Sequence, residues 1–404
     1  MLKTLKAGTP AARRALGAIR DRLEEAAKRG SAAARRASRR VFGRTLSPED
    51  AVRKIIADVR AKGDAALVRY TKAFDGCRLT ARGIKAGAAE VRTARKSLDL
   101  DLRHALLEAA HRILLYQEHV ALPESVLMRG PGEELGMRVV PLRRVGIYVP
   151  GGTAAYPSSV LMNVIPAQAA GVDEIVVCTP PDADGRANPL VLAACAELGV
   201  SEVWKLGGAQ AVAAMAWGTK TLPPVDKIAG PGNLYVTLAK RMVYGRVDLD
   251  MPAGPSEVCV VADSSAKPVE VAADLLSQAE HDPLASCVLV TDSKRLATQV
   301  SREVKKQLAD LPRGKTAGAA VRSYGLALLV RKIQDAAAVV NELAPEHLEV
   351  ICRAPERVVN AVRAAGTIFI GRFSPEPVGD YVAGPSHTLP TGGAARAFSG
   401  LSAA

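Results

Sequence analysis

The sequence predicts an α/β protein with parallel-type sheets, and three observations carry that expectation. After Val139, strand-like runs (VGIYV, EIVVCT, EVWKL) alternate with helix-like runs (ANPLVLAACAEL, AQAVAAMAWG). Strands separated by helical crossovers pair in parallel, because a parallel neighbour is reached only by a long return. A second series of the same texture starts near Glu257: EVCVVAD, a helix from Pro268 to Glu280, CVLVTD, a helix from Ser293 to Leu308, then LALLV and TIFIG. The third observation is a strongly basic front. Together they predict two Rossmann-like lobes and a helical N-terminal arm. The expected boundaries are 1–46 for the arm, 47–139 with 250–396 for the larger lobe, 140–249 for the second lobe, and 397–404 for a short tail.

Residues 1–46 hold thirteen Lys and Arg against three acids, ten of the thirteen net positive charges of the 404-residue chain. Within AIRDRLEEAAKRG, acids and bases recur at helical spacing, as on a solvated helix packing against a partner subunit. An organelle transit peptide and a nucleic-acid contact are the other readings such charge allows. No aromatic interleaves the arginines, which disfavours base stacking. From Ser47 the pattern turns helical. Ser47 serves as cap, Pro48 fits the first turn, and Glu49 and Asp50 face the positive end of the dipole. Val52, Ile55, Ile56, Val59 and Leu67 continue the apolar face. A helical stretch over 91–121 places His104, His111 and His119 near one face, as surface residues.

No apolar run approaches the ~18 residues of a membrane span. The six cysteines are scattered without a CxxC pair, and Cys259 and Cys287 sit in buried-strand patterns. A reducing cytoplasm is therefore expected rather than a disulfide framework, or an organelle if the arm is a transit peptide.

Three histidines remain for chemistry, each in an unusual setting. LLSQAEHDP closes a helix and sets Gln278 and His281 on one face at i and i+3; an amide oxygen and an imidazole can both bind a divalent metal, though a polar helix end reads the same way. LAPEHLEV puts Glu346 beside His347, a pairing suited to proton transfer near neutral pH. SPEPVGDYVAGPSHTLPTGG reads as a long ordered loop carrying Asp380, a hard anionic donor, and His387. Glycine-rich loops follow predicted strands at 148–159, 206–216 and 229–236. None matches GxGxxG, so alone they indicate an anion or nucleotide site.

In order and spacing, DVRAKGDAALVRYTKAFDG, RRVGIYVPGG, LGGAQAVAA, DKIAGPGN, DMPAGPSEV, LLSQAEHDP, APEHLE and GDYVAGPSHTLPTGG resemble the histidinol dehydrogenase family from residue 58 to FSGLS at 398–402. The resemblance implies oxidation of L-histidinol to L-histidine by way of histidinal, the last step of histidine biosynthesis, with NAD and zinc, in a homodimer without membrane or nucleic-acid partners. It implies zinc ligands at Gln278, His281 and Asp380, and catalytic bases at Glu346 and His347. Ser256 and His387 would contact substrate, together with Gln278, His281, His347 and Asp380. NAD would lie against Tyr148, Gln210 and Asn233. The larger lobe would thus carry zinc and catalysis, and the second lobe NAD. Members of that family continue past FSGLS with a tail that supplies a fourth zinc ligand across the dimer, so the tail here is expected to be truncated. A relative oxidising another small polar alcohol and a non-catalytic homologue are the alternative readings.

Overall fold

The computed structural model describes residues 2–151, 156–252 and 254–404, with the side chain of Val126 set aside. The chain divides into two compact units. The first comprises residues 1–29, 251–380 and 389–400; the second comprises 30–250, 381–388 and 401–404.

The first unit is built on a six-stranded sheet, parallel throughout. Its strands run in the order Lys3–Lys6, Gly325–Leu329, Ser286–Thr291, Glu257–Ala262, His347–Ile351, Thr367–Ile370. The central strands are buried on both faces and read as continuous apolar runs, as a doubly covered sheet requires. Val258, Val260 and Leu289 pack with the helices Pro268–Ala279, Lys294–Gln307 and Gly314–Tyr324. Cys259, Val261, Val288 and Val350 pack on the opposite face with Ala12, Leu16 and Ile19 of the helix Pro10–Arg29 and with the helix Ala336–Leu343.

The N-terminal arm therefore differs from its expectation. It begins as an edge strand in register with Gly325–Leu329 and continues as a helix covering one face of the sheet. Ala12, Leu16, Ile19 and Leu23 form an apolar stripe at helical spacing, and the surrounding charge masks that stripe in the sequence.

The second unit carries a five-stranded parallel sheet in the order Glu202–Lys205, Glu174–Thr179, Arg144–Tyr148, Lys227–Ala229, Asp248–Leu249. The helices ahead of it group with this unit, which corrects the expected assignment of 47–139 to the larger lobe. Helix Pro48–Lys62 packs on Gly208–Trp217 and Leu234–Val243, Ala88–Lys96 on Pro189–Glu197, and Leu100–Val120 on Pro157–Ala169. Their apolar faces need a partner, and the sheet's own helices supply it. Ser47 caps its helix as expected, accepting from the Asp50 N–H at 3.1 Å. The stretch 91–121 is two helices, because the Asp99 carboxylate accepts from the N–H groups of Asp101 and Leu102 and restarts the chain as a new N-terminus. A hairpin, Ser125–Gly130 with Glu133–Arg138, precedes the sheet.

His104, His111 and His119 are exposed, and the cysteines are free, five of them buried. Among the described residues no helix is long and apolar enough to cross a membrane.

Candidate active site

Glu346 and His347 owe their position to the punctuation before them. The helix Ala336–Leu343 ends at Ala344, a left-handed cap with φ 51, and Pro345 cannot extend it. The strand then starts at His347, beside the entry of Glu257–Ala262, in register His347 with Val258. One residue of that neighbouring strand organises both side chains. The Glu257 N–H donates to Glu346 Oε2 at 2.9 Å, and the Glu257 carbonyl lies 3.1 Å from His347 Nδ1. A carbonyl only accepts, so this contact puts the proton of a neutral imidazole on Nδ1 and leaves the lone pair on Nε2. The ring stacks on Phe369, centroids 6.2 Å apart.

Two further acids gather beside the His347 ring. Glu376 Oε1 lies 3.7 Å from Nε2. Candidate ligand atoms of His347, Glu376 and Asp380 all fall within 4.8 Å of one another. Glu376 sits in a one-turn 3-10 segment, Glu376–Val378, whose first N–H donates to Glu349 Oε1 at 2.6 Å. Its carboxylate accepts from Gln278 Nε2 and, at 2.8 Å, from Ser277 Oγ. Gln278, at the end of helix Pro268–Ala279, is buried, and among the described residues its Oε1 has no hydrogen-bond partner.

Burial is the largest influence on these acids. It drives the Glu346 carboxyl well above the ordinary carboxylate range, helped by the carboxylates of Glu257, Glu376 and Asp380 and opposed by the Glu257 N–H. Burial, then the Asp380 carboxylate, pushes Glu376 up to about 8, and burial pushes Asp380 up to about 6. Behind them Glu349 is raised to about 9, by burial first and then by Asp274. Acids gathered this closely resist ionising together, and a divalent cation removes that penalty. An orphaned amide oxygen, hard carboxylates and an imidazole form a donor set that suits zinc. The residues present fit such an ion.

Of the expected ligands, the structure brings Gln278 into contact with Glu376, which neighbours Asp380. His281 does not join them. It is exposed just past the helix end; its N–H bonds the Gln278 carbonyl at 3.1 Å and its carbonyl accepts from Arg313 at 3.1 Å. Ser256 is half-buried directly before Glu257, its carbonyl accepting from the Ser286 N–H at 3.0 Å. His387 belongs to the second unit, in a loop fixed by Ser386 Oγ to the Met162 carbonyl (2.9 Å) and by Thr388 Oγ1 with Asn163 Oδ1 (3.2 Å). Glu376, Glu257 and Glu349 were not anticipated. The signal for Glu376 was its place between Pro375 and Pro377, four residues before Asp380.

Tyr148 ends a strand of the five-stranded sheet, and Gln210 and Asn233 follow the ends of two others. The first strand, Arg144–Tyr148, has Glu174–Thr179 on one side and Lys227–Ala229 on the other, so strand order reverses there. Crevices beyond the carboxyl ends at such a reversal are the usual ligand sites of α/β sheets. The Tyr148 hydroxyl accepts from the Gly208 N–H at 3.0 Å. Gln210 is buried, its Oε1 without a hydrogen-bond partner among the described residues. Asn233 caps the helix Leu234–Val243 through Oδ1, 3.0 and 3.2 Å from two N–H groups, which leaves its amide NH2 for other contacts. Gly230, at φ +107, passes so close to Tyr148 that a Cβ would stand 2.1 Å from the Tyr148 carbonyl oxygen. Lys240 Nζ holds the Gly230 carbonyl at 2.9 Å and Asp250 at 2.5 Å, fixing this turn. Residues 152–155 of the glycine-rich loop expected over 148–159 lie outside the described residues.

Residues 40–404 match the family model described as histidinol dehydrogenase. The histidinol dehydrogenase of Geobacillus kaustophilus is 54% identical over 352 residues, covering 87% of this chain and 82% of its own. That of Bacillus subtilis is 54% identical over 350 residues, covering 87% and 82%. The crystal structure of histidinol dehydrogenase from Elizabethkingia anophelis superposes with a TM-score of 0.86 at 35% identity, covering all of this chain and 88% of its own. The chain belongs to the histidinol dehydrogenase family, whose members are NAD-dependent dehydrogenases.

Proposed function

We propose that this protein oxidises L-histidinol to L-histidine through histidinal, with Glu346 and His347 as bases and zinc held by Gln278, His281 and Asp380. The observation that carries this reading is the group of buried His347 and Glu376 with half-buried Asp380, beside Glu376's partner Gln278. When bound, NAD accepts the hydride in each oxidation and zinc anchors the substrate through its nitrogens.

The protein's own residues do the rest. With Nδ1 tied to the Glu257 carbonyl, His347 offers Nε2 to the substrate hydroxyl and takes its proton. Glu346, a stronger base than an ordinary carboxylate because it is buried, takes a proton from the water that adds to the aldehyde. Glu376 keeps Gln278 oriented through its amide NH2, so the amide oxygen stays aimed at the ligand position. His281, just past the end of the helix that carries Gln278, would be the third ligand. Ser256 and His387 contact the substrate. Tyr148, Gln210 and Asn233, around the strand-order reversal, contact NAD. A homodimer in the cytoplasm is the working form, and the free, mostly buried cysteines suit a reducing compartment.

The zinc-loaded chain mixed with histidinol and excess NAD should yield about two NADH per histidinol consumed, one for each hydride transferred. No histidinol-dependent NADH, from folded protein carrying zinc, contradicts the reading.

A further inference from the structure

The N-terminal helix Pro10–Arg29 reaches the catalytic pair through one side chain. Arg22 and Glu257 form an ion pair with Nη2–Oε1 at 2.8 Å, their side chains 1% and 2% exposed. The same Nη2 donates to the Pro255 carbonyl at 2.9 Å, Nε to the Leu284 carbonyl at 2.8 Å, and Nη1 to the Ile19 carbonyl. The guanidinium fork therefore grips the segment entering the central strand on both sides. Glu257 is also the residue whose N–H holds Glu346 and whose carbonyl meets His347 Nδ1. Its side chain lies in the fork while its peptide groups hold the two bases.

Anchoring the helix does not require this arrangement. Ala12, Leu16, Ile19 and Leu23 already bury one stripe, and a buried ion pair contributes little net stability against apolar packing of the same volume. What a rigid fork adds is orientation. Arg22 also lies ahead of residues 40–404, the stretch the family model matches.

We propose that Arg22 is a positioning residue for the reaction: by clamping Glu257, Pro255 and Leu284 it fixes the Glu257 peptide, which holds the Glu346 carboxyl and sets the proton of His347 on Nδ1. The inference rests on the reading of Glu346 and His347 as the bases. It gives the basic N-terminal segment a role in the chemistry.

The test compares full-length wild type with Arg22→Lys and Arg22→Ala in two measurements. In steady-state oxidation of histidinol, kcat falls by about 10- to 100-fold, as for other residues that orient a functional shell. KM moves less than kcat, because Arg22 bonds directly to none of the residues assigned to substrate contact. Millimolar methylguanidinium restores part of kcat to Arg22→Ala and leaves wild type unchanged. The second measurement needs no turnover. Ring 15N spectra of the six histidines, with His347 assigned through His347→Gln, show a protonated Nδ1 in wild type and mixed tautomers in both variants. Should Arg22→Ala fail to fold, Arg22→Lys carries both comparisons. A folded Arg22→Lys with wild-type kcat and the wild-type His347 tautomer overturns the inference. A folded, zinc-loaded wild type that reduces no NAD overturns the reading of the site instead, and the ring spectra then decide on Arg22 alone.

Discussion

Single groups decide what this site can do. The Glu257 carbonyl fixes which nitrogen of His347 is basic, and burial fixes how strongly Glu346 holds a proton. Removing either base should have distinct consequences. His347→Gln should lower kcat for histidinol by about 10²- to 10⁴-fold, the range for losing a general base. Glu346→Gln should act mainly on the aldehyde, so that NADH per histidinol drops from about two toward about one in a single-turnover assay, with histidinal accumulating. Equal loss of both oxidations in Glu346→Gln would contradict the role given to it. The raised acids also set a pH dependence. Glu349, lifted from 4.5 to about 9, and Glu376, lifted to about 8, bind their protons more tightly folded than unfolded. Their contribution is full below the ordinary carboxylate range and is lost as pH climbs toward 9. The metal-free protein should therefore lose Tm relative to its Glu349→Gln variant between about pH 5 and 9. A constant Tm difference across that window would contradict the placement of these charges.

At the scale of elements, the strand Lys3–Lys6 and the helix Pro10–Arg29 matter most. The strand pairs with Gly325–Leu329 and the helix covers Val288, Val290, Leu326 and Leu328. Deleting residues 2–29 would expose that apolar face and an unpaired edge. The truncated chain should lose cooperative unfolding, read by thermal denaturation; a transition matching the full chain would show the segment to be an appendage. This is also where the sequence was hardest to read. Thirteen positive charges drew attention away from four apolar residues at helical spacing, and a four-residue strand leaves almost no periodic signal. The α/β alternation after Val139 and after Glu257 was legible because doubly covered strands are continuous apolar runs. The grouping of the helices in 47–120 was not legible, since an amphipathic face does not name its partner.

Across the whole molecule, the residues proposed for NAD and for catalysis stand at different ends of their respective sheets. In the five-stranded sheet, Tyr148, Gln210 and Asn233 stand at or after carboxyl ends, as α/β sheets usually arrange. In the six-stranded sheet, Glu257 and His347 stand at strand starts, so general sheet rules would not have found them. The zinc ligands and bases that motif order supplied were Gln278, His281, Asp380, Glu346 and His347. Glu349 became visible only in three dimensions, because an acid inside an apolar strand has no distinctive spacing; Glu376 carried only the weak signal of its place between two prolines. The central claim is that Gln278, His281 and Asp380 hold a divalent ion next to the two bases. Crystals grown with zinc and measured at the zinc absorption edge test it most directly. An anomalous peak about 2.0–2.2 Å from Gln278 Oε1 and an Asp380 carboxylate oxygen is the predicted result. No peak there, or a zinc ion bound away from both side chains, would contradict the account.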